Sequence, residues 1–333
     1  SFGNELIEKA KGPYIYTKSG KKILDFTGGI GVLNHGHNHP RILKARADFS
    51  KGHGMEVNKS FFSPYLAALS ANIASLLPTD LNYCFFPNSG SEAIEWALKT
   101  AIKSHDGKRT RVLHSDISFH GKLYLSEAIT ASPENSYKYP SFFPTTEYKF
   151  NDLPSVKSAI DKSIGVSGVS DITAMIIEPF NVSNLLESST QFLLEVQNLA
   201  KEHGIVLIFD EVYSGWCKTG YLFNFMRDEN ICPDILCSAK SLGGGKASIA
   251  CLVIKEKLFK RTFDRPNASN LMSTTFNGFG EETVTALEAV NIIIEENYTS
   301  LSFKIETLMR PMLERIVEKY KIVRTTRGRG AIH

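Results

Sequence analysis

Long apolar runs, cysteines and net charge are all scarce in this sequence, and each scarcity excludes something. No run of about 18 apolar residues occurs, so a helical membrane span is excluded; the longest runs, such as residues 205–209, are strand-sized. The five cysteines, Cys84, Cys217, Cys232, Cys237 and Cys251, are odd in number, form no C-x-x-C and sit mostly in apolar surroundings. They argue against a disulfide scaffold or a zinc module and predict reduced thiols in a cytoplasmic setting. The formal charge is only +3, from 38 Lys and Arg against 35 Asp and Glu, which argues against a nucleic-acid or membrane-surface partner. The opening Ser1-Phe2-Gly3-Asn4-Glu5 lacks the basic, apolar and small-residue order of a signal peptide. There is no initiating methionine, and no helix or strand closes the end at Arg327-Gly328-Arg329-Gly330-Ala331-Ile332-His333; a fragment or a processed chain is expected.

What is present is a globular composition, 42% hydrophobic and 22% charged, in a chain long enough for one large domain or two. Short apolar runs alternate with amphipathic stretches, the texture of a parallel α/β sheet. Strands are predicted at residues 83–86, 111–113, 174–177, 205–209, 235–237 and 249–254. Helices are predicted at 92–104, with Ile94, Ala97, Leu98, Ala101 and Ile102 on one face, and at 191–203, where Gly204 is the stop signal. Residues 301–319 keep a helical period, with Pro311 as a bend point. Residues 132–154, rich in Pro, Ser and Tyr, read as an ordered excursion, and the basic residues 321–330 as a solvated segment.

In an open α/β sheet, ligands collect beyond the carboxyl ends of the strands. Asn88-Ser89-Gly90-Ser91 follows the strand at 83–86 and runs straight into a helix. Free N–H groups, the helix dipole and two hydroxyls there suit a phosphate; the same residues equally suit an ordinary N-cap. Asp210-Glu211-Val212 ends the most apolar strand, where two carboxylates need pairing or a cationic ligand. Lys240, between Ser238-Ala239 and Ser241-Leu242-Gly243-Gly244-Gly245, is a candidate desolvated amine for Schiff-base chemistry. A P-loop is excluded, because Lys240 rather than glycine stands five positions before Gly245 and Ala247 follows Lys246. Gly28-Gly29-Ile30-Gly31 lacks the Rossmann spacing. Phe119-His120-Gly121 offers a ring for stacking or for the core. His35-Gly36-His37-Asn38-His39-Pro40 has metal-binding residue types but no acidic partner at ligand spacing.

Phosphate donors, a stacking ring, a carboxylate and a nucleophilic amine are together what pyridoxal phosphate requires. Its aldehyde needs a lysine and its pyridine nitrogen an acidic partner. Leu24-Asp25-Phe26, Gly36-His37-Asn38-His39-Pro40, Ser89-Gly90-Ser91-Glu92-Ala93 and Phe119-His120-Gly121 extend the pattern. Glu178-Pro179, Asp210-Glu211-Val212 with Gly215 and Gly220, Pro233-Asp234-Ile235 with Lys240, and Thr274-Thr275-Phe276 continue it in order. From about Gly12 to its last residue the chain resembles the class III pyridoxal-phosphate aminotransferases, the group of the acetylornithine, ornithine and 4-aminobutyrate aminotransferases.

The resemblance implies the aspartate-aminotransferase-like fold type I, an α/β fold with a large, mostly parallel sheet domain and a small domain built from both chain ends. It divides the chain into residues 1–55, the first part of the small domain with a connecting segment; 56–280, the large cofactor-binding domain; and 281–333, the start of a truncated carboxy-terminal small domain. It implies that Lys240 holds the cofactor covalently and shuttles a proton, that Asp210 pairs with the pyridinium, and that Val212 and Phe119 flank the ring. Gly90 and Ser91 hold the phosphate, His120 belongs to the cofactor site, and Thr275 reaches the phosphate bound in a partner subunit, which implies a homodimer with shared sites. The histidine cluster becomes a structural loop, with no metal. Ping-pong transfer is expected from a primary (ω-)amine or amino acid to a 2-oxo acid or other carbonyl. Lys122 and Glu178 are the candidates facing substrate.

Three departures bear on substrate. Lys122 stands where arginine usually follows Phe-His-Gly, Phe180-Asn181-Val182-Ser183-Asn184 replaces a Gln-Gly-Glu stretch, and Tyr213 stands where glutamine is frequent. A lysine is not an equivalent fork for a carboxylate, so the resemblance leaves donor and acceptor open. Two other readings remain: another pyridoxal enzyme on the same scaffold, such as an aminomutase, racemase or decarboxylase, and a non-catalytic relative.

Overall fold

Residues 4–58, 61–78, 80–131, 143–266, 268 and 271–333 are described by the computed structural model. Strands β1 (Ile7–Lys11), β2 (Tyr14–Thr17) and β3 (Lys22–Leu24) form a small antiparallel sheet. The main sheet takes β4 (Leu81–Phe85), β5 (Arg111–Ser115), β6 (Thr145–Tyr148) and β7 (Ile172–Ile177). After the short hairpin β8 (Phe180–Asn181) and β9 (Leu186–Glu187), it is completed by β10 (Val206–Asp210), β11 (Ile235–Ser238) and β12 (Cys251–Lys255). The strand order is β4-β12-β11-β10-β7-β5-β6. Strand β12 runs against both its neighbours, and the other adjacent pairs are parallel.

A mostly parallel sheet must be covered on both faces, and its central strands are accordingly apolar throughout. Every residue of β7 and β10 is buried. Along β10 the side chains alternate: Val206 and Ile208 enter one cluster with Ile94, Ala97, Leu98 and Ala101 of the helix Gly90–Ser104. Leu207 and Phe209 enter the opposite cluster with Phe192, Leu193 and Val196 of the helix Thr190–His203. Both helices start on a serine whose side chain accepts a backbone amide. Gly204 ends the second in the left-handed conformation, φ 63°.

Each strand expected from the sequence falls on a strand of the main sheet, shifted by one or two residues at its ends. The stretch 132–154 is more than an excursion: Thr145–Tyr148 pairs with β5 as an edge strand, and the helix Leu153–Ser163 begins at its close. Residues 132–142 of that stretch lie outside the described residues. The helix expected at 301–319 spans Tyr298–Lys319 and continues through Pro311. No helix among the described residues is long and apolar enough to cross a membrane. Because β5, β7, β10 and β11 run the same way, the segments that follow them, carrying Phe119, Glu178, Asp210 and Lys240, emerge along one edge of the sheet.

Candidate active site

Along that edge lies a cavity of about 700 Å³. Gly90, Ser91, Phe119 and His120 line it, as do Glu178, Asp210, Val212 and Lys240. A wider groove of about 780 Å³ beside Lys9, Tyr16 and Leu43 contains none of these groups. Lys122 is exposed and outside the cavity wall. Thr275 is also exposed, on a turn away from the cavity.

The start of the helix Gly90–Ser104 supplies an anion cradle. Ser89 and Glu92 form a reciprocal capping box, and Glu92 Oε2 accepts the amides of Asn88 at 2.6 Å and Ser89 at 3.2 Å. The amides of Gly90 and Ser91 come next, and first-turn amides have no intrahelical carbonyl to use. The Ser91 hydroxyl makes no hydrogen bond among the described residues. Space here depends on two glycines. A Cβ at Gly90 would lie 2.7 Å from Val212 Cγ1, and one at Gly121, whose φ is +124°, would collide with Ser91 Oγ.

Asp210, the last residue of β10, is buried with its carboxyl held from two sides. Oδ2 lies 2.8 Å from His120 Nδ1, and Oδ1 accepts the Val212 amide at 3.0 Å. Nε2 of His120 is buried and has no partner among the described residues. Glu178, just after β7, accepts the Phe119 amide and Asn181 Nδ2 on Oε2, each at 2.9 Å. Burial pushes its carboxyl up to about 7; His120 opposes that rise and Asp210 adds to it. Glu211, by contrast, serves the loop. Completely buried, it accepts the amides of Asn224 and Phe225 and the hydroxyl of Ser214, so it fixes the segment that carries Tyr213.

Lys240 follows β11 in a short turn and adopts φ 52°, a conformation that non-glycine residues hold at a cost and that concentrates at functional sites. Burial lowers its amine below the usual lysine range, and Asp210 pulls in the opposite direction. A lowered amine is a better nucleophile near neutral pH.

The site also contains Tyr213, noted in the sequence as a departure that bears on substrate, and Lys218, which the sequence did not single out. The Tyr213 ring lies 5.2 Å from Lys240 Nζ and 5.8 Å from Lys218 Nζ. A Cβ on Gly31 would come within 2.7 Å of that ring. Lys218 is buried, donates to the Gly215 carbonyl at 3.0 Å, and has no carboxylate ion pair among the described residues. Burial pushes it down to about 7, helped by the charge of Lys240. A lysine buried without a counter-charge leaves no trace in a sequence. The histidine cluster has partners within the fold: His35 Nε2 meets the Ala289 carbonyl at 3.0 Å and His37 Nε2 meets Asp25 at 2.9 Å.

These groups fit pyridoxal phosphate. The unpaired amides and hydroxyl of the cradle suit its phosphate, the apolar side chains of Val212 and Phe119 on the cavity wall its ring, Asp210 its pyridine nitrogen and Lys240 its aldehyde.

The family model for class III aminotransferases matches residues 3–333. Among solved structures, a transaminase from the marine bacterium Virgibacillus superimposes with a TM-score of 0.90 at 21% identity, covering 98% of this chain and 76% of the other. The ornithine aminotransferase of Toxoplasma gondii gives 0.87 at 21% identity, with 99% and 76% covered. An (S)-enantioselective omega-transaminase from Thermomicrobium roseum gives 0.88 at 20% identity, with 99% and 77% covered.

Proposed function

The chain belongs to the class III aminotransferase family and is a pyridoxal-phosphate-dependent transaminase of fold type I; from that premise we propose which residues carry the reaction and which amine they receive. The observation that carries the assignment of residues is the convergence of Lys240, Asp210 and the Gly90–Ser91 cradle on one cavity.

When bound, pyridoxal phosphate supplies an aldehyde for the substrate amine and an electron-withdrawing ring that stabilises negative charge at the substrate Cα. The Gly90 and Ser91 amides and the Ser91 hydroxyl hold the phosphate. Val212 and Phe119 hold the ring plane. Asp210 keeps a proton at the pyridine nitrogen, and His120 with the Val212 amide holds Asp210 in place. Lys240 Nζ would hold the cofactor's aldehyde, and the same amine would be the group that moves the proton at the substrate Cα.

The donor is proposed to be a primary amine with an uncharged, apolar body. Ile30, Val32, Phe180, Val182 and Tyr213 lie on the cavity wall, no arginine lines it, and Lys240 is its only lysine among the described residues. Burying a substrate carboxylate against such a wall is costly. Glu178, on the cavity wall, remains a candidate that faces substrate, whereas Lys122 stands outside that wall; the acceptor is a 2-oxo acid or another carbonyl compound.

The working form is proposed to be a cytoplasmic homodimer. All five cysteines are free thiols. Met55, Phe61, Phe62 and Phe276 are exposed apolar side chains. The Glu56 carbonyl accepts the Gly280 amide at 2.9 Å and so joins their two segments, a pattern that marks an association surface. The division at residues 1–55, 56–280 and 281–333 is kept as the domain proposal. Titrating the holoprotein with a panel of amines while following the visible cofactor band tests the reading. Bleaching by apolar amines, with stoichiometric formation of the carbonyl product, is expected; bleaching by glutamate alone would overturn the donor assignment.

A further inference from the structure

The hairpin of β8 and β9 puts Phe180, Val182 and Ser183 on the cavity wall, yet it has little with which to hold its own shape. Each strand is two residues long, and among the described residues the two pair only with each other. Leu185, in the turn between them, adopts φ 51°, a left-handed conformation that its surroundings must enforce. At the entry, buried Asn181 donates from Nδ2 to the Ile117 carbonyl and to Glu178 Oε2, each at 2.9 Å, and its Oδ1 accepts the Asn184 amide at 3.0 Å. At the exit stands Glu187. Its Oε1 accepts Asn224 Nδ2 at 2.8 Å and Arg227 Nη1 at 3.2 Å, and its Oε2 accepts Arg329 Nη1 at 2.6 Å. Arg227 also donates to the Ser188 carbonyl, and Arg327 to the Asn184 carbonyl at 3.1 Å. Asn224 is the residue whose amide Glu211 holds, so the Glu187 carboxylate joins the hairpin to the segment that follows Asp210.

We infer that Glu187 is a positioning residue for the amine donor: by gathering Asn224, Arg227 and Arg329 onto one carboxylate it fixes the hairpin, and with it Val182 and Ser183, against the cavity. The inference rests on the reading of this cavity as the donor's site. Neither Glu187 nor its three partners line the cavity, so Glu187 acts through the shape of the wall and not by touching the donor. Arg227 and Arg329 are close enough to oppose each other's charge; without the carboxylate they push apart and the exit of the hairpin loosens.

Amide hydrogen exchange of the apoprotein, beside single-turnover bleaching of the cofactor band by benzylamine, tests this. Glu187→Gln keeps an acceptor for Asn224 and removes the charge. It should speed exchange across residues 180–188 and raise the benzylamine concentration for half-maximal bleaching about tenfold, with the limiting rate and the cofactor dissociation constant within about twofold of wild type. Arg329→Gln should move both readouts the same way by less, since Asn224 and Arg227 still hold the carboxylate, and the double variant should do no more than Glu187→Gln. Arg327→Gln, at an exposed position, gives the same answer if Glu187→Gln folds poorly, with a rise of about threefold. A merely structural role lowers Tm and the active fraction and leaves the half-saturating concentration of the folded molecules unchanged. Faster exchange with that concentration unchanged, or exchange that does not change, overturns the inference and leaves the transaminase standing. Bleaching of the wild type by glutamate and not by benzylamine overturns the donor reading instead, and the same comparison made with glutamate then decides on Glu187.

Discussion

His120 Nδ1 lies 2.8 Å from Oδ2 of Asp210, with both side chains buried at the carboxyl edge of the sheet. The second carboxyl oxygen is committed to the Val212 amide, so the carboxyl group cannot rotate freely. Asp210→Asn keeps this shape and removes the charge that holds a proton on the pyridine nitrogen. We expect cofactor binding to survive while kcat falls by about 10²–10⁴-fold; steady-state rates beside equilibrium cofactor titration check this.

Lys240→Ala removes the amine nearest Asp210 in the cavity. After borohydride treatment in the presence of pyridoxal phosphate, the wild-type chain should gain one cofactor mass and the variant none. Intact-mass spectrometry decides this, and a stable adduct on the variant would assign the chemistry to another lysine.

Gly90→Ala tests the ring slot. The added methyl lies 2.7 Å from Val212 Cγ1 and pushes that side chain toward the ring position. Cofactor affinity should fall by roughly tenfold, about 1.4 kcal/mol, and Val212→Ala in the same chain should restore most of it, since residues in contact couple. Fluorescence titration of the two single variants and the double gives the cycle.

Glu178 carries a pH signature. Burial raises its folded-state value to about 7 from 4.5, so the folded chain holds a proton there that the unfolded chain has released. Stability contributed at this residue therefore falls as pH rises from 4.5 to 7. Glu178→Gln should raise the Tm of the apoprotein most above pH 7, by an amount equivalent to roughly 3 kcal/mol. The gain should vanish below pH 4.5.

Lys218 has the opposite sign. Its folded-state value drops to about 7 from 10.5, so the destabilisation is fully present below pH 7 and fades as pH approaches 10.5. Lys218→Met should stabilise the chain at pH 6 and leave it nearly unchanged at pH 10; equal Tm gains at both values would remove the charge from the explanation.

The parts of the fold that were legible in the sequence are those whose burial is written in consecutive residues. Strand β10 is apolar through Phe209 because both faces are covered, and β5, β7 and β11 read in the same way. Strands β1 to β3 and β6 are short and partly exposed, so no run or alternation betrays them. In the site, Asp210 and Lys240 were legible because their strands point at them. Asn88 with Thr274, 186 positions apart, and Tyr213 against Gly31 are created by the fold and have no local signature. Residue type and position alone do not separate Glu211 from the adjacent Asp210; the resemblance picks Asp210, and in the fold the Glu211 carboxylate holds the amides of Asn224 and Phe225.

The single reversed strand has a consequence for how the molecule comes into being. Strand β4 touches no other member of the main sheet but β12, with Phe85 opposite Leu252, and β12 in turn bonds to β11. On the ribosome, β4 therefore waits for its only strand partner until residue 255 has emerged, roughly 10–30 s at ordinary elongation rates. Asp210 and then Lys240 are made only in the last part of that interval, although the helix that bears the cradle already has β7 to pack on. Cofactor loading is thus a late event in biogenesis, and a nascent chain stalled before β12 exposes an apolar strand edge to chaperones rather than a functional pocket to its ligand.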